Sequence, residues 1–236
     1  MKKMIVILHG WRLSGERYKG LQRIFEKNGY QVLAPDLPGF GAVPLLKETM
    51  SVNDYVNYVK SYLDKKKIKR VILIGHSFGG RVAAKFAVRY PSYVQRLILT
   101  GSPLLKTQVS FRKQIISFFA KRGKKIAQHF PQTLYRRLQW VVYRLLGEWD
   151  YYKADALKKT FVKVNEEDLS LFLPKISSKT LVLWGEKDSF VPDYIGRAIA
   201  KNIPHAQFIA IPRKGHGIPY TDARQFAKYS LAFLHS

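Results

Sequence analysis

The sequence predicts an α/β protein with a mostly parallel sheet of about six strands and a helical insertion. Three observations carry this. Short runs such as Ile5-Val6-Ile7-Leu8, Val71-Ile72-Leu73-Ile74 and Leu181-Val182-Leu183-Trp184 are apolar at every position, as strands covered on both faces must be. Between them lie stretches with apolar residues at helical spacing. From Pro103 to about Lys175 the alternation stops, and no strand-like run occurs until Thr180.

Taken in order, Met4–Leu8 is the first strand and ends at His9-Gly10-Trp11. It does not read as a signal segment, because its apolar part is short and runs into a glycine turn without a small-residue cleavage site. Ser14 to Asn28 carries Tyr18, Leu21, Ile24 and Phe25 at helical spacing, and Gly29 stops that helix. Gln31–Ala34 is a second strand, followed by the loop Pro35-Asp36-Leu37-Pro38-Gly39-Phe40-Gly41. Ser51 caps a helix whose inner side holds Tyr55, Val56, Val59, Tyr62 and Leu63. The strand from Val71, a helix over Val82–Val88 and a strand at Arg96–Thr100 follow. Residues 103–175 read as basic amphipathic helices, with Phe111, Ile115, Phe118 and Phe119 on one stripe and Leu134, Leu138, Val141, Val142 and Leu145 on another. The first reading of those stripes is packing. The rhythm resumes with a strand at Thr180–Trp184, a helix near Asp193–Lys201, a strand at Gln207–Ile211 and a helix at Asp222–Leu234. The predicted organisation is therefore a core of residues 1–102 and 176–236 interrupted by the insertion 103–175.

Composition narrows the function classes. A length of 236 residues suits one α/β domain, and 47% hydrophobic with 24% charged residues is ordinary for a globular chain. No apolar run approaches the roughly 18 residues of a membrane span. With no cysteine there is no disulfide framework and no thiolate metal site, which fits a reducing cytoplasm. Lys and Arg number 41 against 16 Asp and Glu, a net charge of +25. Such a balance draws anionic partners. The insertion carries +9 and the remainder +16, nearly the same charge per residue, so the excess is diffuse. No nucleic-acid module accompanies it, and no specific nucleic-acid partner is expected.

A serine sits between glycines directly after the Val71 strand, in Gly75-His76-Ser77-Phe78-Gly79-Gly80. At a sharp strand-to-helix turn the backbone is strained and the neighbours must be small. The turn lifts Oγ above the sheet edge, and the helix start aims backbone N–H groups and its positive dipole end at an oxyanion. Such a nucleophile needs a general base, and an acid to orient that base, in the chain order Ser, then Asp or Glu, then His. Leu181–Trp184 runs into Gly185-Glu186-Lys187-Asp188, and Phe208–Ile211 into Pro212-Arg213-Lys214-Gly215-His216-Gly217. Loops after the carboxyl ends of parallel strands share one rim. Ser77, Asp188 and His216 are thus the candidate catalytic residues: His216 takes the Ser77 proton, and Asp188 fixes the His216 tautomer and stabilises the imidazolium. Glu186 and Asp193 are stand-ins for the acid, and no acid follows the Arg96–Thr100 strand. Read singly, Ser77 is a turn serine, Asp188 a surface aspartate and His216 a loop histidine; their matched order argues against that. His9 reads as structural, Asp36 as pinning its own loop, and His129, His205 and His235 as surface residues. No HExxH or clustered ligand set occurs, so no metal site is predicted.

Taken together, HGW (9–11), DLPGFG (36–41), GHSFGG (75–80), WGEKD (184–188) and GHG (215–217) make the chain similar to the α/β-hydrolase-fold serine hydrolases. The likeness covers nearly everything but the middle of the insertion. It implies that the backbone N–H groups of Trp11 and Phe78 form the oxyanion hole. It also implies that 103–175 is a cap over the pocket, with Phe111, Phe118 and Phe119 as candidate substrate-binding residues. Two departures are visible: the usual sheet has two further N-terminal strands, and Gly217-Ile218-Pro219-Tyr220 replaces a bulkier aromatic run after the histidine. Serine at 77 separates the chain from haloalkane dehalogenases and epoxide hydrolases, which use aspartate there. The implied activity, without a cofactor, is cleavage of a small ester or lactone through an acyl-enzyme. A C–C bond hydrolase shares the motifs. A further alternative is a methyl-ester hydrolase whose basic cap (Arg112, Lys113, Lys121, Arg122, Lys124, Lys125, Arg136, Arg137) docks an acidic carrier protein. Rivals outside catalysis are an inactive binding scaffold, whose mark would be a broken triad, and attachment to an anionic membrane surface through Val109–Lys125.

Overall fold

A computed structural model describes residues 3–105 and 157–236. Among these, six strands form one sheet: β1 Met4–Leu8, β2 Gln31–Leu33, β3 Val71–His76, β4 Val94–Thr100, β5 Lys179–Gly185 and β6 Gln207–Ile211. Their order is β2-β1-β3-β4-β5-β6, and every neighbouring pair is parallel. The helices are α1 Lys19–Lys27, α2 Val52–Lys65, α3 Phe78–Arg89, α4 Lys158–Glu166, α5 Asp193–Asn202, α6 Ile218–Thr221 and α7 Ala223–His235.

The uniformly apolar strands are explained by what they divide. Val6, Leu8, Leu73, Leu97, Leu99, Val182 and Trp184 face one buried cluster, which takes in α2, α3 and α5. Their alternates Ile5, Ile7, Ile72, Ile74, Ile98, Leu181 and Leu183 face a second, which takes in α1 and α7. A strand with side chains of period two can feed two cores only if both faces are apolar. From β1 the chain goes outward through α1 to β2, then returns through α2 to β3 on the other side of β1. The strand order reverses there, and the carboxyl ends of β1 and β3 bound the crevice where open α/β sheets hold ligands.

Local differences from the sequence expectation have local causes. The stretch expected as one helix from Ser14 begins as a 3-10 turn, Gly15–Tyr18, before α1. Its first N–H, on Gly15, is held by Asp36 Oδ1 at 2.7 Å, which ties the turn to the next loop. The Ser51 cap is a full capping box: Asp54 N–H donates to the serine hydroxyl, and the Asp54 carboxylate accepts from Ser51 N–H at 2.7 Å. Helix α3 starts at Phe78, ahead of the expected Val82, because it begins at the serine turn itself. The single turn of α6, with Pro219 near its start, was not expected. Of the insertion, residues 106–156 lie outside the described residues; its C-terminal part, α4 and a 3-10 turn over Ser170–Lys175, is helical as expected. Among the described residues no helix is long and apolar enough to cross a membrane.

Candidate active site

Ser77 joins β3 to α3 with φ 53° and ψ −117°, in the left-handed region that a residue with a Cβ rarely adopts. Two contacts hold it there. Its N–H donates to Thr100 O at 2.9 Å, and its carbonyl accepts from Gly80 N–H at 3.0 Å. The turn is crowded against β1: a Cβ on Gly79 would stand 2.1 Å from Leu8 O. Only glycine lets the first turn of α3 lie so close to that backbone. Phe78 is the first residue of α3, so its N–H has no partner within the helix.

The candidate acid and base come from the loops after β5 and β6. His216 Nδ1 lies 2.8 Å from Asp188 Oδ2. The other carboxylate oxygen, Oδ1, accepts from the N–H groups of Phe190 at 2.9 Å and Val191 at 2.8 Å. Asp188 is thus buried, aimed and left with one oxygen for the histidine. An acceptor at Nδ1 puts the imidazole hydrogen there and leaves the Nε2 lone pair free as a base. Behind the ring stands Gly101, at φ 57°, where a Cβ would come within 2.8 Å of His216 Cε1. Gly101 follows Thr100, the partner of the Ser77 N–H, so the serine turn and the histidine ring meet the same end of β4. Of the stand-in acids, Glu186 accepts from Arg213 N–H and Asp193 pairs with Arg197; neither takes the histidine.

The turn after β1 completes the rim. His9 bonds Gly10 O through Nδ1 at 2.8 Å and accepts from Leu37 N–H through Nε2 at 2.9 Å, the structural role expected of it. Burial holds its imidazole below the usual range. Asp36 accepts from Gly15 N–H and Ala42 N–H, pinning its loop as expected. Trp11 stacks edge-on against Phe78 at 5.2 Å, Phe40 at 4.9 Å and Phe161 at 5.0 Å. Trp11 and Phe78 are therefore neighbours, and aromatic rings from four separate segments meet at that end of the sheet.

Two groups escaped the sequence reading. His76, the last residue of β3, is buried and joined to Tyr18 and to the His216 loop. Arg81 and Lys85, one turn apart on the buried side of α3, grip the two stems of the insertion. Arg81 donates to the carbonyls of Pro103 and Glu167, and Lys85 pairs with the Glu167 carboxylate. Burial lowers the Arg81 guanidinium to about 10, with Glu167 and Asp168 opposing the fall. The available signal was a histidine, an arginine and a lysine inside otherwise apolar segments. Phe111, Phe118, Phe119 and the eight basic residues named for a carrier surface lie outside the described residues, as does the whole of Val109–Lys125.

A family model for the alpha/beta hydrolase fold matches residues 3–223. The chain belongs to that family. This hydrolase is 30% identical over 251 residues to a 2-hydroxy-6-oxo-6-phenylhexa-2,4-dienoate hydrolase of Burkholderia cepacia, an alignment spanning 98% of the chain and 87% of the relative. It is similar to a solved alpha/beta hydrolase enzyme from the metagenome of lagoon sediments at Mar Chica, Morocco, with 26% identity, a TM-score of 0.69 and coverage of 100% and 91%. An esterase from Exiguobacterium antarcticum shares the fold at a TM-score of 0.76, with 22% identity and coverage of 99% and 92%.

Proposed function

We propose that this hydrolase acts through Ser77 on a carbonyl carbon, with His216 as general base and acid and Asp188 as its orienting carboxylate. The observation that carries the reading is the Asp188–His216 bond at 2.8 Å, which joins side chains from two loops on the rim that holds the strained Ser77. His216 Nε2 takes the Ser77 proton as Oγ attacks. The backbone N–H groups of Trp11 and Phe78 receive the oxyanion, and the imidazolium, stabilised by Asp188, hands its proton to the leaving group. Water then repeats the steps on the acyl-Ser77 ester.

For the bond cleaved, we place a carbon–carbon bond beside a ketone ahead of the ester or lactone first expected. The named substrate of the Burkholderia cepacia relative carries a 6-oxo group and no ester, so hydrolysis at that carbonyl breaks a C–C bond. A carbon leaving group departs only if its electrons are delocalised, so the dienol must first move the proton of its 2-hydroxyl to C5; the C5–C6 electron pair then delocalises through the remaining double bond into the 2-oxo group, and the resulting dienolate takes up the proton from His216. Such a substrate is an anion, and a net charge of +25 raises its local concentration.

The test is a substrate panel, a 2-hydroxy-6-oxo-dienoate beside p-nitrophenyl esters and a lactone, run on wild type and Ser77→Ala. Bleaching of the conjugated dienoate by the wild type, lowered at least ~1000-fold by Ser77→Ala, is the expected result. Ester or lactone turnover with an untouched dienoate returns the bond to an ester. Full activity of Ser77→Ala overturns the nucleophile.

A further inference from the structure

Below the rim runs a hydrogen-bonded chain that the proposed mechanism does not use. Gly10 N–H donates to Tyr18 Oη at 3.3 Å, Tyr18 Oη lies 2.7 Å from His76 Nδ1, and His76 Nε2 lies 3.0 Å from the His216 carbonyl oxygen. Its direction is forced. The Gly10 amide can only donate, so it occupies an acceptor site of the tyrosine oxygen. A carbonyl can only accept, so the His76 hydrogen must sit on Nε2. Nδ1 is then a bare lone pair, and the one phenolic hydrogen goes to it. Both rings are sealed from water, with Tyr18 at 0% and His76 at 1% exposure. Tyr220 lies against them, its ring 5.9 Å from that of Tyr18 and 5.8 Å from that of His76, and the Arg17 guanidinium sits 4.8 Å over the Tyr220 ring.

Burial raises the Tyr18 phenol far above its ordinary value and lowers His76 to about 3, with His216 and His9 adding to the fall. Each therefore stays neutral, and the chain keeps one polarity at any pH where the protein works.

We propose that Tyr18 and His76 are positioning residues: a single directed hydrogen-bond chain that fixes the His216 loop and the Gly10-Trp11 turn relative to Ser77. The three segments that it joins follow β1, β3 and β6, and nothing local in the sequence sets their mutual height. Gly10 precedes the proposed oxyanion donor Trp11, His76 precedes the nucleophile, and the bonded carbonyl belongs to the base itself. Without the phenolic hydroxyl, His76 keeps its hydrogen on Nε2, but its Nδ1 loses its donor and Gly10 N–H loses its acceptor. The His216 loop and the Gly10-Trp11 turn are then no longer tied to each other through His76, and the base loses its fixed height over Ser77. Neither residue reaches substrate, so the effect falls on the rate of reaction at Ser77 and not on binding.

The proposal rests on Ser77 and His216 being the nucleophile and its base, and the experiment separates the two ideas. Wild type, Ser77→Ala, Tyr18→Phe and His76→Gln are labelled with a fluorophosphonate, and kcat and KM are measured on whichever substrate is turned over. Tyr55→Phe is the control, since it removes another buried hydroxyl, one with no partner among the described residues. Tyr18→Phe is expected to label and turn over roughly 10- to 100-fold more slowly, with KM within about twofold, as misplacement by an ångström does. His76→Gln, which keeps an amide donor for the His216 carbonyl, retains more activity than Tyr18→Phe, and Tyr55→Phe labels like wild type. Equal labelling of Tyr18→Phe and wild type overturns the proposal, as does a loss that only tracks the unfolded fraction in a urea titration. If Tyr18→Phe fails to fold, a wild-type rate in His76→Leu overturns it. If wild type does not label at Ser77, the nucleophile reading fails and takes this one with it.

Discussion

The two halves of the rim are held by different forces. The half that carries Ser77, where β1 and β3 end, is set by close backbone packing around a short turn: Ser77 is held at positive φ by two backbone bonds, and Gly79 lies against Leu8. The half that carries Asp188 and His216, where β5 and β6 end, is set by hydrogen bonds. Asp188 is aimed by two amides, and His216 is aimed by Asp188 and by His76, 140 positions away in the chain. A steric half tolerates almost no added atom, since close-packed backbone cannot yield. A hydrogen-bonded half tolerates changes of shape but fails when donor and acceptor are exchanged.

That contrast can be broken from either side. The largest effect is expected from Asp188→Asn. The amide oxygen still accepts from Phe190 and Val191, so the melting temperature stays near wild type. The amide nitrogen, however, now confronts His216 Nδ1–H and drives the other tautomer, and kcat is expected to fall about 10⁴-fold. A fall in stability matching the fall in rate would show that this half is steric as well. Gly79→Ala tests the other side. Its Cβ has no room beside Leu8 O, and a loss of about 3 kcal/mol or more in urea denaturation is expected, with activity per folded molecule also reduced. A neutral result would mean that the serine turn is looser than its contacts imply.

The smallest effect sharpens the comparison through pH. His9 and His76 are both held below their ordinary value of 6.5, chiefly by burial. The unfolded chain therefore binds protons that the folded chain refuses, and stability is present above about pH 6.5 and lost as pH falls toward the folded value of about 3 for His76. In that window His76 contributes a slope of up to about 1.4 kcal/mol per pH unit. His76→Gln should flatten the acid side of the stability profile by that amount, read as urea midpoints between pH 7 and 4. An unchanged slope would show that other groups carry the acid sensitivity.

Much of the site was legible in the chain. Strand positions follow from runs apolar on both faces, and Asp188 and His216 stand out because each lies just past such a run, in the order the serine turn requires. His76 and Tyr18 were not legible, because a histidine that ends a strand and a tyrosine on a helical stripe read as core; only their pairing across 58 positions makes them a chain. The grip of Arg81 and Lys85 on Pro103 and Glu167 was hidden for the same reason.

By itself, then, the sequence determined the layered α/β sheet, the serine turn and the two loops in which Asp188 and His216 meet. Those depend on periodicity, on small residues at a tight bend and on chain order, all properties of neighbouring residues. Only the tertiary structure decided which buried polar groups meet, which way each hydrogen points and what holds the histidine loop level with the serine. Buried donors and acceptors must be satisfied wherever the fold brings them together, and that matching runs between segments far apart in the chain.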